Sequence, residues 1–139
     1  MNKIQKYSIG AVLALFYYLA YSGNLSHIIA YHEQHHLFLF TEAYFEQQVQ
    51  SEGFFSYLTD FIIQFFYYPA LGSALLALLL ASVYLMTSNV IRYLFGKEDL
   101  LYLSVIPSLA LFYHTMEASH TMVPITISVL TLAIINLML

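Results

Sequence analysis

Ala70-Leu71-Gly72-Ser73-Ala74-Leu75-Leu76-Ala77-Leu78-Leu79-Leu80-Ala81-Ser82-Val83-Tyr84-Leu85-Met86-Thr87-Ser88-Asn89-Val90-Ile91 contains no charged residue and ends against Arg92. A helix needs about 20 consecutive apolar residues to cross the hydrocarbon core of a bilayer, and this run supplies them. Pro69, just before it, suits the first turn of a helix, where its missing N–H costs nothing. Ala70, Ala74, Ala77 and Ala81 fall on one face, and small residues at that spacing let helices approach closely in lipid. The stretch predicts a membrane span, and the rest of the chain is read outward from it.

The cations follow. Lys3 and Lys6 precede an apolar run over 7–23, while Arg92 and Lys97 follow the run over 70–92. No other Lys or Arg is present, and all six histidines lie elsewhere. Cytoplasmic loops carry the Lys and Arg of membrane proteins, so the N-terminus is expected in the cytoplasm and 24–68 outside. Two further apolar runs, 100–116 and 122–139, complete a set of four spans. Pro107 is expected to kink the third, and Gly96-Lys97-Glu98-Asp99 to form the tight turn before it. The predicted fold is an all-α polytopic membrane helix bundle of about four transmembrane helices in a single domain. The rival reading of 7–23 is a cleaved signal peptide, with Ala20-Tyr21-Ser22 as the cleavage site. The bulky Phe16-Tyr17-Tyr18 beside that site argues against it.

Composition agrees. Of 139 residues, 60% are hydrophobic and 9% charged, against about 25% charged in a soluble domain. Thirteen Tyr stand in for the absent Trp as interfacial anchors. A net charge of −4 with no basic patch excludes nucleic acid as a partner. The absence of Cys excludes disulfides, thiol catalysis and Cys-ligated zinc. The final run stops at Leu139 without a polar flank, which predicts a fragment of a longer protein.

The segment 24–68 has helical periodicity. Phe54, Leu58, Phe61, Ile62 and Phe65 form one stripe, and Ser56, Asp60 and Gln64 the opposite one. Leu37, Phe40, Tyr44 and Phe45 against Glu42, Glu46 and Gln50 repeat the pattern, with Gly53 between the two. Two interfacial amphipathic helices are expected in this first outer loop, with the phenylalanines towards membrane or bundle and Ser56, Asp60 and Gln64 towards water.

Two polar clusters share the outer side. Tyr31-His32-Glu33-Gln34-His35-His36 lies in the first loop, and His114-Thr115-Met116-Glu117-Ala118-Ser119-His120 in the second. His32 and His36, four apart, would be neighbours on a helix, as would His114 and Glu117. Imidazole and carboxylate together suit a divalent metal, which makes His32, His36, His114 and His120 the candidate ligands. Glu117 is a candidate catalytic acid, because an acid between two membrane segments is a functional candidate by default, and Glu33 is the acid of the other cluster in the same acid/base reading. The spacing is not the His-Glu-x-x-His of zinc peptidases. The bland alternative is a set of interfacial polar groups bonded to each other, headgroups or water.

Glu33-Gln34-His35-His36-Leu37-Phe38-Leu39-Phe40, followed by Gln64-Phe65-Phe66-Tyr67-Tyr68-Pro69-Ala70-Leu71-Gly72, resembles the N-terminal part of a family of large, uncharacterised polytopic membrane proteins of Bacteroidetes. The layout of first span, long outer loop and second span also resembles the start of type C glycosyltransferases. That resemblance implies a cell-envelope protein of the bacterial inner membrane working on a lipid-linked sugar. Glu33 would match the acid of the first loop and Glu117 that of the second, although Gln34 stands where the pattern has a second acid. The alternative is a non-catalytic subunit or assembly module whose alanine face packs against other membrane subunits. A transporter is disfavoured, because the spans carry no ionisable residue apart from Arg92 near an end.

Overall fold

A computed structural model of the chain describes residues 3–96 and 102–139. The described residues form seven α-helices joined in part by 3-10 turns, without a strand: α1 (Lys3–Ser22), α2 (Ser26–His35), α3 (Glu42–Ser51), α4 (Phe54–Ile63), the 3-10 turn Gln64–Tyr67, α5 (Pro69–Phe95), α6 (Val105–Thr115) and α7 (Val123–Met138). The expected all-α class is what is found.

Helix α5 is the one described helix long and apolar enough to cross a membrane alone, with a mean hydropathy of 2.0. Pro69 occupies its first turn, and Gly96 ends it in the left-handed conformation at φ 60°. Helices α1 and α2 pass the same test only together and are bent by 69° at their junction. Helix α7 is apolar but has 16 residues, and α6 has 11. Pro107 is the third residue of α6, where an N–H has no intrahelical partner anyway, so the expected kink is a helix start instead. The turn expected at Gly96-Lys97-Glu98-Asp99 and the start of the 100–116 run lie outside the described residues after Gly96.

Helix α5 is the hub: α1, α6 and α7 all pack on it. Its buried stripe, Ser73, Leu76, Ala77, Leu80, Ala81, Tyr84 and Ser88, advances by three and four residues, the period that keeps one helix face inward. Against it lie Tyr17 and Tyr21 of α1, Ile28 and Ile29 of α2, Ile63 and Phe66, and Met122 and Ile125. Hydroxyl groups stitch the helices together. Ser108 Oγ of α6 donates to the Leu80 carbonyl of α5 at 2.7 Å, so it accepts from Tyr17 of α1. Thr115 likewise donates to Phe112 O and accepts from Tyr21.

These contacts sort the helix ends into two sets. Lys6 bonds Asn89, and Asn89 bonds Asn136, which gathers the start of α1 with the ends of α5 and α7. Tyr21 meets Thr115, and Thr126 donates to Thr59, which gathers α2–α4 with the opposite ends. Lys3, Lys6 and Arg92 therefore belong to one end and the histidines to the other. Between the ends, the outer faces are apolar: Val12, Leu15 and Leu19 of α1, Leu78 of α5, Ile106 of α6 and Ile134 of α7 are all exposed. Water-soluble monomers rarely expose contiguous apolar surface on that scale.

Residues 24–68 depart from expectation twice. Residues 36–41 lie outside any helix, with extended backbone at His36 and Thr41, and α3 begins only at Glu42, where Thr41 caps it by accepting from Tyr44 N at 3.2 Å. Leu37 and Phe40 therefore belong to a strap before the helix, since a Thr with extended backbone stops helix growth backwards. In α4 the stripe is real, but its polar side faces inward instead of towards water. Ser56 and Asp60 are buried, whereas Phe54, Phe61 and Phe65 are exposed. Periodicity locates two faces without saying which one meets the solvent.

Candidate functional site: a buried carboxylate held by a histidine

The polar stripe of α4 turns inward because α3 and the end of α2 cover it. Gly53, at φ 93°, reverses the chain between α3 and α4. That backbone angle is available to glycine at little cost, and it folds α3 back along α4. Asp60, 5% exposed, then faces α3 and the end of α2. His36 Nδ1 lies 2.9 Å from Asp60 Oδ1. Gln48 Nε2 donates to Oδ2 at 2.8 Å, and Tyr44 OH approaches the same oxygen at 3.2 Å. The Tyr44 proton has a nearer acceptor, the Leu37 carbonyl at 2.7 Å.

The neighbours of Asp60 settle the tautomer. Donors surround the carboxylate and an ionised carboxylate only accepts, so His36 presents Nδ1–H to it. Nε2 of His36 makes no hydrogen bond to any described residue, on a side chain 32% exposed. Gln48 extends the network. Its amide also reaches Glu52 Oε2 at 3.1 Å, and Ser56 Oγ donates to that oxygen at 2.8 Å. Burial first, and then the negative charge of Asp60, push the Tyr44 phenol up to about 12. Tyr44 stays protonated at neutral pH and serves as a donor.

His32 stands behind His36, their rings stacked at 5.4 Å. It is 2% exposed, and its Nδ1 is buried without a hydrogen-bond partner. Burial, with His36 and His35 beside it, lowers its pKa to about 4. It is a neutral imidazole at physiological pH. His35 instead turns outward, stacked on Tyr31 at 4.0 Å with Nδ1 on the Tyr31 carbonyl.

The second cluster closes its own turn. His114 Nε2 meets the Thr121 carbonyl at 3.1 Å, His120 Nδ1 meets the His114 carbonyl at 2.9 Å, and the two rings stack at 4.7 Å. Glu117 is exposed and accepts from Ser119 Oγ at 3.1 Å. Glu33 is half-buried on α2 and makes no hydrogen bond or ion pair with any described residue. No hydrogen bond, ion pair or ring contact joins the two clusters among the described residues. The candidate metal ligands come as two separate pairs, and among the described residues no three His, Asp or Glu side chains gather where a metal ion could sit.

Sequence reading had found His36 but not its partner. Asp60 is 24 residues away and alone among Phe, Ile and Leu. The available signal was that isolation: an acid in the most apolar helix of the loop, with no Lys or Arg near enough to pair with it.

No curated protein and no solved structure matches the chain. A sequence family matches over residues 2–139, so the chain belongs to DUF6057, a family of unknown function.

Proposed function

We propose that this chain is the N-terminal membrane module of a bacterial envelope protein, and that its His36–Asp60 pair acts as a base towards a hydroxyl group. The four spans near 7–23, 70–92, 100–116 and 122–139 cross the inner membrane with the N-terminus in the cytoplasm. Helices α2–α4 then lie on the outer face. The segregation of Lys3, Lys6 and Arg92 from the histidines supports that orientation, and the exposed apolar faces of α1, α5, α6 and α7 support the bilayer as solvent.

One observation carries the chemistry: Asp60 holds His36 by Nδ1 at 2.9 Å and leaves Nε2 open. A buried carboxylate fixes the ring and stabilises the imidazolium formed when Nε2 takes a proton. In a transferase using a lipid-linked sugar, Nε2 takes the proton of the acceptor hydroxyl as its oxygen attacks the anomeric carbon. The bond from that carbon to the lipid phosphate breaks, and the phosphate leaves with the electron pair. Glu33 and Glu117 remain the outer-face acids available to bind the donor or a metal that neutralises its phosphate.

The test uses inner-membrane vesicles carrying the protein, a labelled polyprenyl-phosphate sugar and envelope lipid as acceptor. His36→Gln is expected to abolish transfer while the protein remains at its normal level in the membrane. Unchanged transfer in that variant removes His36 as the base.

A second reading has its own observation. Asp60 joins α2, α3 and α4 through His36, Tyr44 and Gln48, which suits a rigid clamp in a non-catalytic subunit. On that reading His36→Gln lowers stability and leaves transfer unchanged.

A further inference from the structure

We infer that α4 and residues 37–40 are immersed in the outer leaflet and face uncharged lipid rather than water. The inference rests on the membrane reading above and goes beyond it by naming what covers this face.

The inward polar side of α4 is the first support. Ser56, Thr59 and Asp60 point inward, and Phe54, Phe61 and Phe65 point outward. In water the exposed rings forgo their burial, while the inward polar groups are bonded within the protein. Against hydrocarbon, polar groups belong in the protein and rings belong outside.

Residues 37–40 meet the same condition independently. Leu37 is 69% exposed, Phe40 76%, and Leu39 is exposed between them. The four residues carry no polar side chain. The Leu37 carbonyl is satisfied internally by Tyr44 OH at 2.7 Å, a bond that lipid could not supply. Ring contacts fuse the strap and the helix into one surface: Phe38 meets Phe40 at 4.9 Å and Phe61 at 5.5 Å, and Phe61 meets Phe65 at 5.6 Å.

Charge selects the lipid. No Lys or Arg lies between Gly23 and Pro69, so attraction to anionic headgroups is absent and apolar burial alone holds the face down. The partner that fits is a zwitterionic or neutral lipid surface, bound without salt dependence.

The chain has no tryptophan, so single-Trp variants report position directly. Phe40→Trp, Phe61→Trp, Leu78→Trp on the exposed middle of α5, and Glu46→Trp on exposed α3 are each reconstituted in phosphatidylcholine vesicles. Lipids brominated high or low on the acyl chain quench from the bilayer, and iodide quenches from water. The indoles at 40 and 61 are expected to lose most of their emission to the shallow bromines, the one at 78 to the deep ones, and the one at 46 to iodide. Iodide quenching at 40 and 61 with bromine quenching at 78 overturns the inference and leaves the membrane reading standing. Shielding of 40 and 61 from both quenchers also overturns it, because a protein then covers the face. Escape of position 78 from bromine removes both readings.

Discussion

The Tyr17 hydroxyl donates to Ser108 Oγ across 91 residues of sequence at 2.7 Å, in a part of the bundle where both side chains are fully buried. Ser108 passes its own proton to the Leu80 carbonyl, so one serine joins α1, α6 and α5.

Ser108→Ala strands the Tyr17 hydroxyl and is expected to cost about 1–3 kcal/mol, whereas Tyr17→Phe leaves Ser108 its carbonyl acceptor and costs less. The double variant should lie well short of the sum of the two. Thermal unfolding of the four proteins in one detergent measures the cycle, and additive losses would show that the pair does not interact.

Gly72 is a tighter constraint than the helix interface at Gly10. A Cβ on Gly72 would lie 2.9 Å from Phe66 Cδ1 and 3.0 Å from Phe66 Cα, which is backbone. A Cβ on Gly10 meets the flexible tip of Leu85 at 3.0 Å. Gly72→Ala is therefore expected to destabilise by about 1–3 kcal/mol, as overpacking does, and Gly10→Ala by clearly less. Equal melting temperatures for the two variants would contradict the close approach of the 3-10 turn to α5.

His32 predicts a pH dependence with a definite sign. Its folded pKa is about 4 against an ordinary 6.5, so between those values the unfolded chain binds more protons. Its contribution to stability is complete above about pH 6.5 and is lost as pH falls towards 4. His32→Phe keeps a ring in the stack with His36 and removes the proton site together with the unpartnered Nδ1. The acid side of the stability profile should flatten in that variant. A profile that still falls as steeply would assign the acid sensitivity elsewhere.

Orientation is open to a direct check. With Lys3, Lys6 and Arg92 at the inner end, Glu46→Cys should react with a membrane-impermeant thiol reagent in intact cells, and Phe95→Cys only after lysis. The reverse pattern would invert the topology.

Much of the helix layout was legible because it depends on local rules. Pro69 opens α5, Gly96 closes it, Gly53 separates α3 from α4, and unbroken apolar runs give the helices of the bundle. What sequence did not deliver is relational. The period of α4 identified its polar side, but the direction of that side depends on α3 folding over it. The histidines drew attention by clustering, yet those at 114 and 120 close a turn, while the polar centre forms where one of the others meets a solitary Asp60. A contact between residues far apart in sequence leaves no periodic trace, and neither Glu33 nor Glu117 is part of this one.

The reliance of α1 on α5 has a consequence for biogenesis. Residues 23–68 separate the two helices, so α1 is made well before its principal neighbour leaves the ribosome. During that interval the Tyr17 and Tyr21 hydroxyls have neither Ser108 nor Thr115 to bond, and the face around Gly10 lacks Tyr84 and Leu85. Slowing translation within 23–68 would lengthen the life of a lone, incompletely bonded α1.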